Sequence, residues 1–148
     1  MIEQSVQRLQ YLCSIIPPLL TQLSEDEFSY KVTPEKWSKK EVLGHLIDSA
    51  TNNHQRFVRV QFEDVPVIIY NQNKWNQYSY HTKLNSAQFI TFWEAYNRQL
   101  AELITHIPPK NILRECSIGK KDNVTLEWLI VDYVRHLEHH LKQLVEYQ

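Results

Sequence analysis

Apolar residues recur along this chain at alternating steps of three and four, the period of an α-helix that buries one face. In the first such segment, Ile2, Val6, Leu9, Cys13, Ile16, Leu20 and Leu23 form one stripe. Pro17 and Pro18 interrupt it. Each removes a backbone donor and crowds the carbonyl four residues back, so the pattern predicts a kink or break after Ile16. Ser24 to Glu27 reads as a capped turn, and YKVTPEK after it as a loop. A second helix opens at Ser38, where Glu41 three residues on completes a capping box and Trp37 is placed to staple against Val42. Its apolar face is Val42, Leu43, Leu46, Ile47, Ala50 and Phe57, and the pattern fades near Phe62. From Glu63 to Leu84 the text becomes irregular and rich in Asn, Gln and aromatics. A stretch of that length inside a compact domain is more often functional than filler.

Asn85 with Gln88 opens a third helix through Phe89, Phe92, Trp93, Tyr96, Leu100, Leu103 and Ile104, which Pro108 and Pro109 stop. A short strand or hairpin is expected around Leu113–Ile118. Val124-Thr125 then starts the last helix, with the stripe Leu126, Leu129, Ile130, Tyr133, Leu137, Leu141 and Leu144. Four long amphipathic helices in one small chain predict an all-α four-helix bundle, with residues 1–148 as a single domain.

Composition sharpens this picture in three places. Only two glycines occur in 148 residues, which disfavours a turn-rich β protein and leaves no Gly-rich phosphate loop. Sixteen Lys and Arg against seventeen Asp and Glu remove the electrostatic footprint of a general nucleic-acid binder or a polybasic membrane binder. No apolar run approaches the roughly 20 residues of a membrane span, and MIEQSVQRLQ lacks a signal-peptide core, so a cytoplasmic protein is expected. Two cysteines are too few for a disulfide framework or a Cys-based zinc site. Cys13 lies on an apolar stripe and reads as a buried small hydrophobe, while Cys116 falls in a loop with nothing near it to activate a thiol.

Seven histidines carry the chemistry. In the last helix, RHLEHH places His136 and His140 about 40° apart on one face, a spacing that lets two imidazoles reach a single ion. His139 turns about 60° to the other side of His136 and reads as a rim residue. Two histidines bordering a helix face are the commoner meaning of such a pair, and no Glu follows His136 as a zincin motif requires. His45, in Gly44-His45-Leu46, changes the balance. It sits at the polar border of the second helix, in line with Ser49, Asn52 and Arg56. That ridge either furnishes a polar cavity or faces water. Gly44, in so glycine-poor a chain, suggests close approach of another backbone or a ligand.

The segments WSKKEVLGHLIDSATNNHQRF, YNQNKW, NRQL and TLEWLIVDYVRHLEHHLKQL together resemble the DinB-like superfamily of metal-dependent hydrolases and bacillithiol- and mycothiol-transferase relatives. The resemblance runs the length of the chain in order. It implies an up-down-down-up bundle, a homodimer, and a divalent metal, zinc or nickel, held by His45 from GHLID and by His136 and His140 from RHLEHH. The chain is shorter than the well-studied thiol transferases, and the resemblance carries over metal binding but not the loop residues those enzymes use on thiol cofactors. Three imidazoles leave a coordination position open, which suits catalysis. A metal there could lower the pKa of a bound water, for hydrolysis, or of a low-molecular-weight thiol, for S-transfer to a small electrophilic substrate. The alternative is a non-catalytic metal- or small-molecule-binding bundle.

Around that centre, Arg56 and Arg98 are candidates to hold an anionic substrate group, and Ser49, Asn52, Tyr70 and Trp75 candidates to line the pocket. Each Arg is equally suited to a structural ion pair, and the aromatics to packing the long connection. Asp48 could orient a ligand imidazole or lie on the surface, and Glu138 is expected to face solvent. His54, His81 and His106 have no partner at ligand spacing and read as ordinary polar positions.

Overall fold

The first helix, α1, spans Ile2–Thr21 in the computed structural model, which describes residues 1–148. It runs through Pro17 and Pro18 rather than ending before them, so the break expected after Ile16 is absent. The compensation is tertiary. Pro17 has no N–H for the Cys13 carbonyl, and the Arg98 guanidinium donates to that oxygen instead, at 3.3 Å. A short helix, α2 (Glu25–Ser29), follows with a complete Ser24–Glu27 capping box. Helix α3 (Lys39–Arg59) starts from the reciprocal Ser38–Glu41 box.

The connection after α3 is less irregular than its sequence suggests. It holds a one-residue bridge from Val67 to Ser117, the helix α4 (Gln72–Tyr78), and a 3₁₀ turn over His81–Lys83. Amphipathic period is hard to read in seven residues, and the Asn71 side chain that caps Lys74 N–H is its clearest local signal. Helix α5 (Ser86–Thr105) is capped by Asn85 on Gln88 N–H, and α6 (Leu126–Leu144) by Thr125 on Trp128 N–H. Between them β1 (Glu115–Cys116) falls in the stretch expected to hold a strand, but its antiparallel partner β2 (Val124–Thr125) is the pair of residues read from sequence as the start of the last helix. Cys116 is therefore in a strand and fully buried, not in an open loop.

Helix α1 packs chiefly on α5 and α3 chiefly on α6; α1 also meets α6, and α3 meets α5. Contacts along the axes give the directions. Cys13 near the middle of α1 meets Arg98, while Glu25 just past its end meets Ser86 at the start of α5, so these two run antiparallel. Lys40 at the start of α3 bonds the Leu84 carbonyl beside the start of α5, and His54 reaches Tyr96, so α3 and α5 run parallel. The result is an up-down-down-up four-helix bundle. Parallel neighbours cannot be joined by a tight turn, which is the physical reason for the long crossover between residues 59 and 86. The core joins Leu9, Leu12, Ile16, Leu43, Leu46, Trp93, Leu100, Leu137 and Leu141, among others, all fully buried. Each such leucine contributes roughly 2 kcal/mol of transfer free energy.

Candidate metal centre

At the α3–α6 seam the helical registers converge three imidazoles. His45 is 1% exposed, and its Nε2 lies 3.2 Å from His136 Nε2. His140, one turn on, stacks edge-on against both rings at centroid distances of 4.8 and 4.6 Å. One nitrogen from each of the three falls within 4.8 Å of the others. Two nitrogens bound to one tetrahedral ion at about 2.05 Å would sit roughly 3.3 Å apart, close to the His45–His136 spacing. His140 Nδ1 is 3.2 Å from Gln143 Oε1, a contact that makes Nδ1 the donor and turns a free Nε2 lone pair inward. Trp37 lies tilted over His45 at 5.1 Å between ring centroids and covers one side of it.

Burial and mutual repulsion keep these rings uncharged. The His45 pKa is pushed down to about 3, first by burial and then by His136 and His140. That of His136 is pushed down to about 4 by burial and by His140, and burial also lowers that of His140. Neutral imidazole is the ligand form. His45 Nδ1 is buried without a hydrogen-bond partner, so this ring is held by packing rather than by a second polar contact. His139 is exposed and turned outward, as helical geometry requires.

The ridge behind His45 is interior, not solvent-facing. Ser49 and Asn52 are 2% and 3% exposed. Arg56 is buried as well, and its guanidinium donates to the Ile68 carbonyl and Asn53 Oδ1. No carboxylate pairs with it; Tyr70 lies 5.8 Å from its guanidinium carbon, and Trp75 packs edge-on against Tyr70. Burial raises the Tyr70 phenol pKa, and the Ser49 hydroxyl offsets part of that rise. Arg98 is not part of this group: it binds Glu94, Ser14 Oγ and the Cys13 carbonyl on the α1 side.

Three readings of single residues change. Glu138 does not face solvent; it takes a bidentate pair from Arg8 and ties α1 to α6. Asp48 is not on the surface, being 3% exposed. It accepts from His81, a residue that sequence spacing leaves unpartnered and that the fold buries at 4% exposure. The clue was Gly44. The group that approaches it closely is neither backbone nor ligand but the His81 ring, whose Cδ2 would stand 2.2 Å from a Cβ at position 44.

An all-α bundle with one polar seam that gathers three imidazoles defines the class of this molecule, and comparison with known proteins gives its family. The DinB superfamily model matches residues 14–144, and the chain belongs to that superfamily. A candidate metal-dependent hydrolase of Oceanobacillus iheyensis is 21% identical over 145 residues, covering 97% of this chain and 83% of that protein. Among solved structures, YfiT from Bacillus subtilis, described as a probable metal-dependent hydrolase with an unusual four-helix bundle topology, superposes with a TM-score of 0.87. It is 19% identical and is matched over 97% of this chain and 83% of its own.

Proposed function

We propose that the protein is a metal-dependent enzyme, acting as a hydrolase on a small electrophilic substrate, with one divalent ion held by His45, His136 and His140. The observation that carries this reading is the convergence of three uncharged imidazole nitrogens within 4.8 Å of one another. The donor set suits zinc or nickel, and three protein donors leave room for a nucleophile or substrate. Bound there, the ion supplies Lewis acidity and makes a coordinated water, or a low-molecular-weight thiol, nucleophilic near neutral pH. The chain's own residues do the rest. Gln143 fixes the His140 tautomer, and Trp37 shields one face of His45. Arg56, buried without a carboxylate partner and on the same ridge, is the group to hold an anionic end of the substrate, with Ser49, Asn52 and Tyr70 between it and the histidines. The names of the relatives in O. iheyensis and B. subtilis support hydrolysis over thiol transfer.

The deciding experiment is metal analysis of the purified protein, followed by turnover assays with ester and amide substrates, with and without added thiols. Bound zinc or nickel at one ion per chain, with turnover of esters or amides that His45→Ala abolishes, is the expected result. Turnover only with a thiol would replace hydrolysis by S-transfer. Tight metal binding with no turnover would make the protein a binding module. The homodimer belongs to the same reading. Phe62, Val67, Ile69 and Leu113 are apolar and at least 60% exposed on the crossover and before the hairpin, a supply of apolar surface that a second copy would cover. Light scattering should report twice the mass of one chain.

A further inference from the structure

On the flank of α3 turned away from the three histidines, a second set of buried polar groups borders a cavity of its own. At about 100° per residue, Gly44, Ile47 and Asp48 point roughly 60° to 160° off the His45 direction, toward α5. The cavity there is about 340 Å³ and is lined by Asp48, Ser79 and His81 together with Ile47, Phe89 and Phe92; the Phe89 ring lies 5.3 Å from that of His81. Its polar group is built rather than incidental. His81 Nε2 lies 2.9 Å from Asp48 Oδ2, and Ser79 Oγ donates to Asp48 Oδ1 at 3.4 Å. Both side chains of the Asp48–His81 pair are 4% exposed.

Two features of the backbone serve this arrangement. Tyr80 adopts the left-handed conformation, φ 54°, unusual for a non-glycine residue, and so turns its neighbours Ser79 and His81 onto one carboxylate. Gly44 lies in the second turn of α3, at a cost to helix propensity, and leaves the space that the His81 ring fills. The pair is also incomplete. His81 Nδ1 is buried with no hydrogen-bond partner. The cavity lining contains one carboxylate and no lysine or arginine.

We propose that this α3–α5 cavity is a second binding site, independent of the histidine cluster, for a small molecule that joins a protonated amine to a ring-sized apolar body. The carboxylate of Asp48, held by Ser79 and His81, receives the ammonium group. Phe89 and Phe92 receive the apolar body, and an ammonium beside an aromatic wall gains a cation–π contribution as well. Ser79 and His81 each meet this buried carboxylate through one polar contact, and a cationic head group would add a charge-assisted donor to it.

The test uses benzylamine as probe, titrated into the full-length protein and followed by saturation-transfer NMR and calorimetry. Benzylamine should bind in the millimolar range or tighter, with benzyl alcohol and benzoate weaker by about tenfold or more, since each lacks the charge-assisted donor. Asp48→Asn, which keeps the shape, should lose about tenfold or more. His45→Ala should bind benzylamine as the native protein does, which separates this site from the metal centre. If Asp48→Asn fails to fold, Phe92→Arg, at a half-exposed wall position, should block binding by bulk and charge. Benzoate binding as well as benzylamine, undiminished binding by Asp48→Asn or Phe92→Arg, loss of binding in His45→Ala, or no binding up to about 10 mM benzylamine would each overturn the proposal.

Discussion

Helices α1 and α3 are nearly equal in length, 20 and 21 residues, yet they fill the interior in opposite ways. Every buried side chain of α1 is apolar: Val6, Leu9, Leu12, Cys13, Ile16, Pro17 and Leu20. Seven of the buried residues of α3 are polar or charged, namely Lys40, His45, Asp48, Ser49, Asn52, Asn53 and Arg56. Burying a polar group costs free energy unless it is paired, so α3 is a helix that the rest of the fold must stabilise. Helix α1 supplies that stability, and α3 spends it on chemistry. The lesson is a division of labour between two elements that look alike in length and helical period.

The comparison breaks most sharply at the histidines. With the ion held as proposed, replacing His45, His136 or His140 by Ala would remove one of its three donors and should weaken zinc binding by about 3 kcal/mol, more than a hundredfold, as read by competition with a chelating dye. The metal-free variants should remain helical by circular dichroism. In α1 the expectation reverses. Leu12→Ala, at a fully buried position, should cost about 3 kcal/mol in urea unfolding and leave zinc affinity within twofold (about 0.4 kcal/mol).

Titration should divide the two helices by pH. The Cys13 thiol is pushed up to about 12, chiefly by burial. An acid whose folded pKa is raised holds its proton longer in the folded state, so its stabilisation is full below about 9 and is lost as pH rises toward 12. Cys13→Ala should flatten that alkaline decline. His45 behaves in the opposite sense in the metal-free protein. Its folded pKa, about 3, lies below the ordinary 6.5, so the unfolded chain binds the proton first and stability falls as pH drops from 6.5 toward 3. Saturating zinc should delay this acid loss and leave the alkaline limb unchanged.

A smaller effect tests how α1 tolerates its prolines. Arg98→Met should cost about 1 kcal/mol by stranding the Cys13 carbonyl. In a Pro17→Ala background, where residue 17 regains its N–H, the same change should cost less. A double-mutant cycle with equal costs in both backgrounds would show that Arg98 stabilises the seam for another reason. Smallest of all is His139→Ala, exposed and one residue from His140, which should leave zinc affinity unchanged within error.

What the sequence makes legible follows from how far apart the partners lie. Caps at Ser24, Ser38, Asn85 and Thr125 reach three residues on, and each is present as local spacing predicts. The stripes of the four long helices are equally local. His136 and His140 share a face for the same reason, whereas His45 joins them across 91 residues, and only resemblance to a family connected the two segments. No local pattern ties Glu138 to Arg8 or Arg98 to the Cys13 carbonyl, so those side chains read as solvent-facing or pocket residues. His81 is the clearest loss. Its partner Asp48 is 33 residues away, and the one hint, Gly44, announces a neighbour without naming it.

The parallel placement of α3 beside α5 also bears on how the chain assembles. Neither of the two main helix pairings joins helices that follow one another: α1 closes on α5 and α3 on α6. Closing such distant pairs demands loop entropy before contacts repay it, so this bundle should fold more slowly than one in which each helix pairs with the next. During synthesis α3 emerges long before its partner. The three imidazoles cannot meet until α6 has left the ribosome, so any ion they hold must arrive after that last helix has emerged.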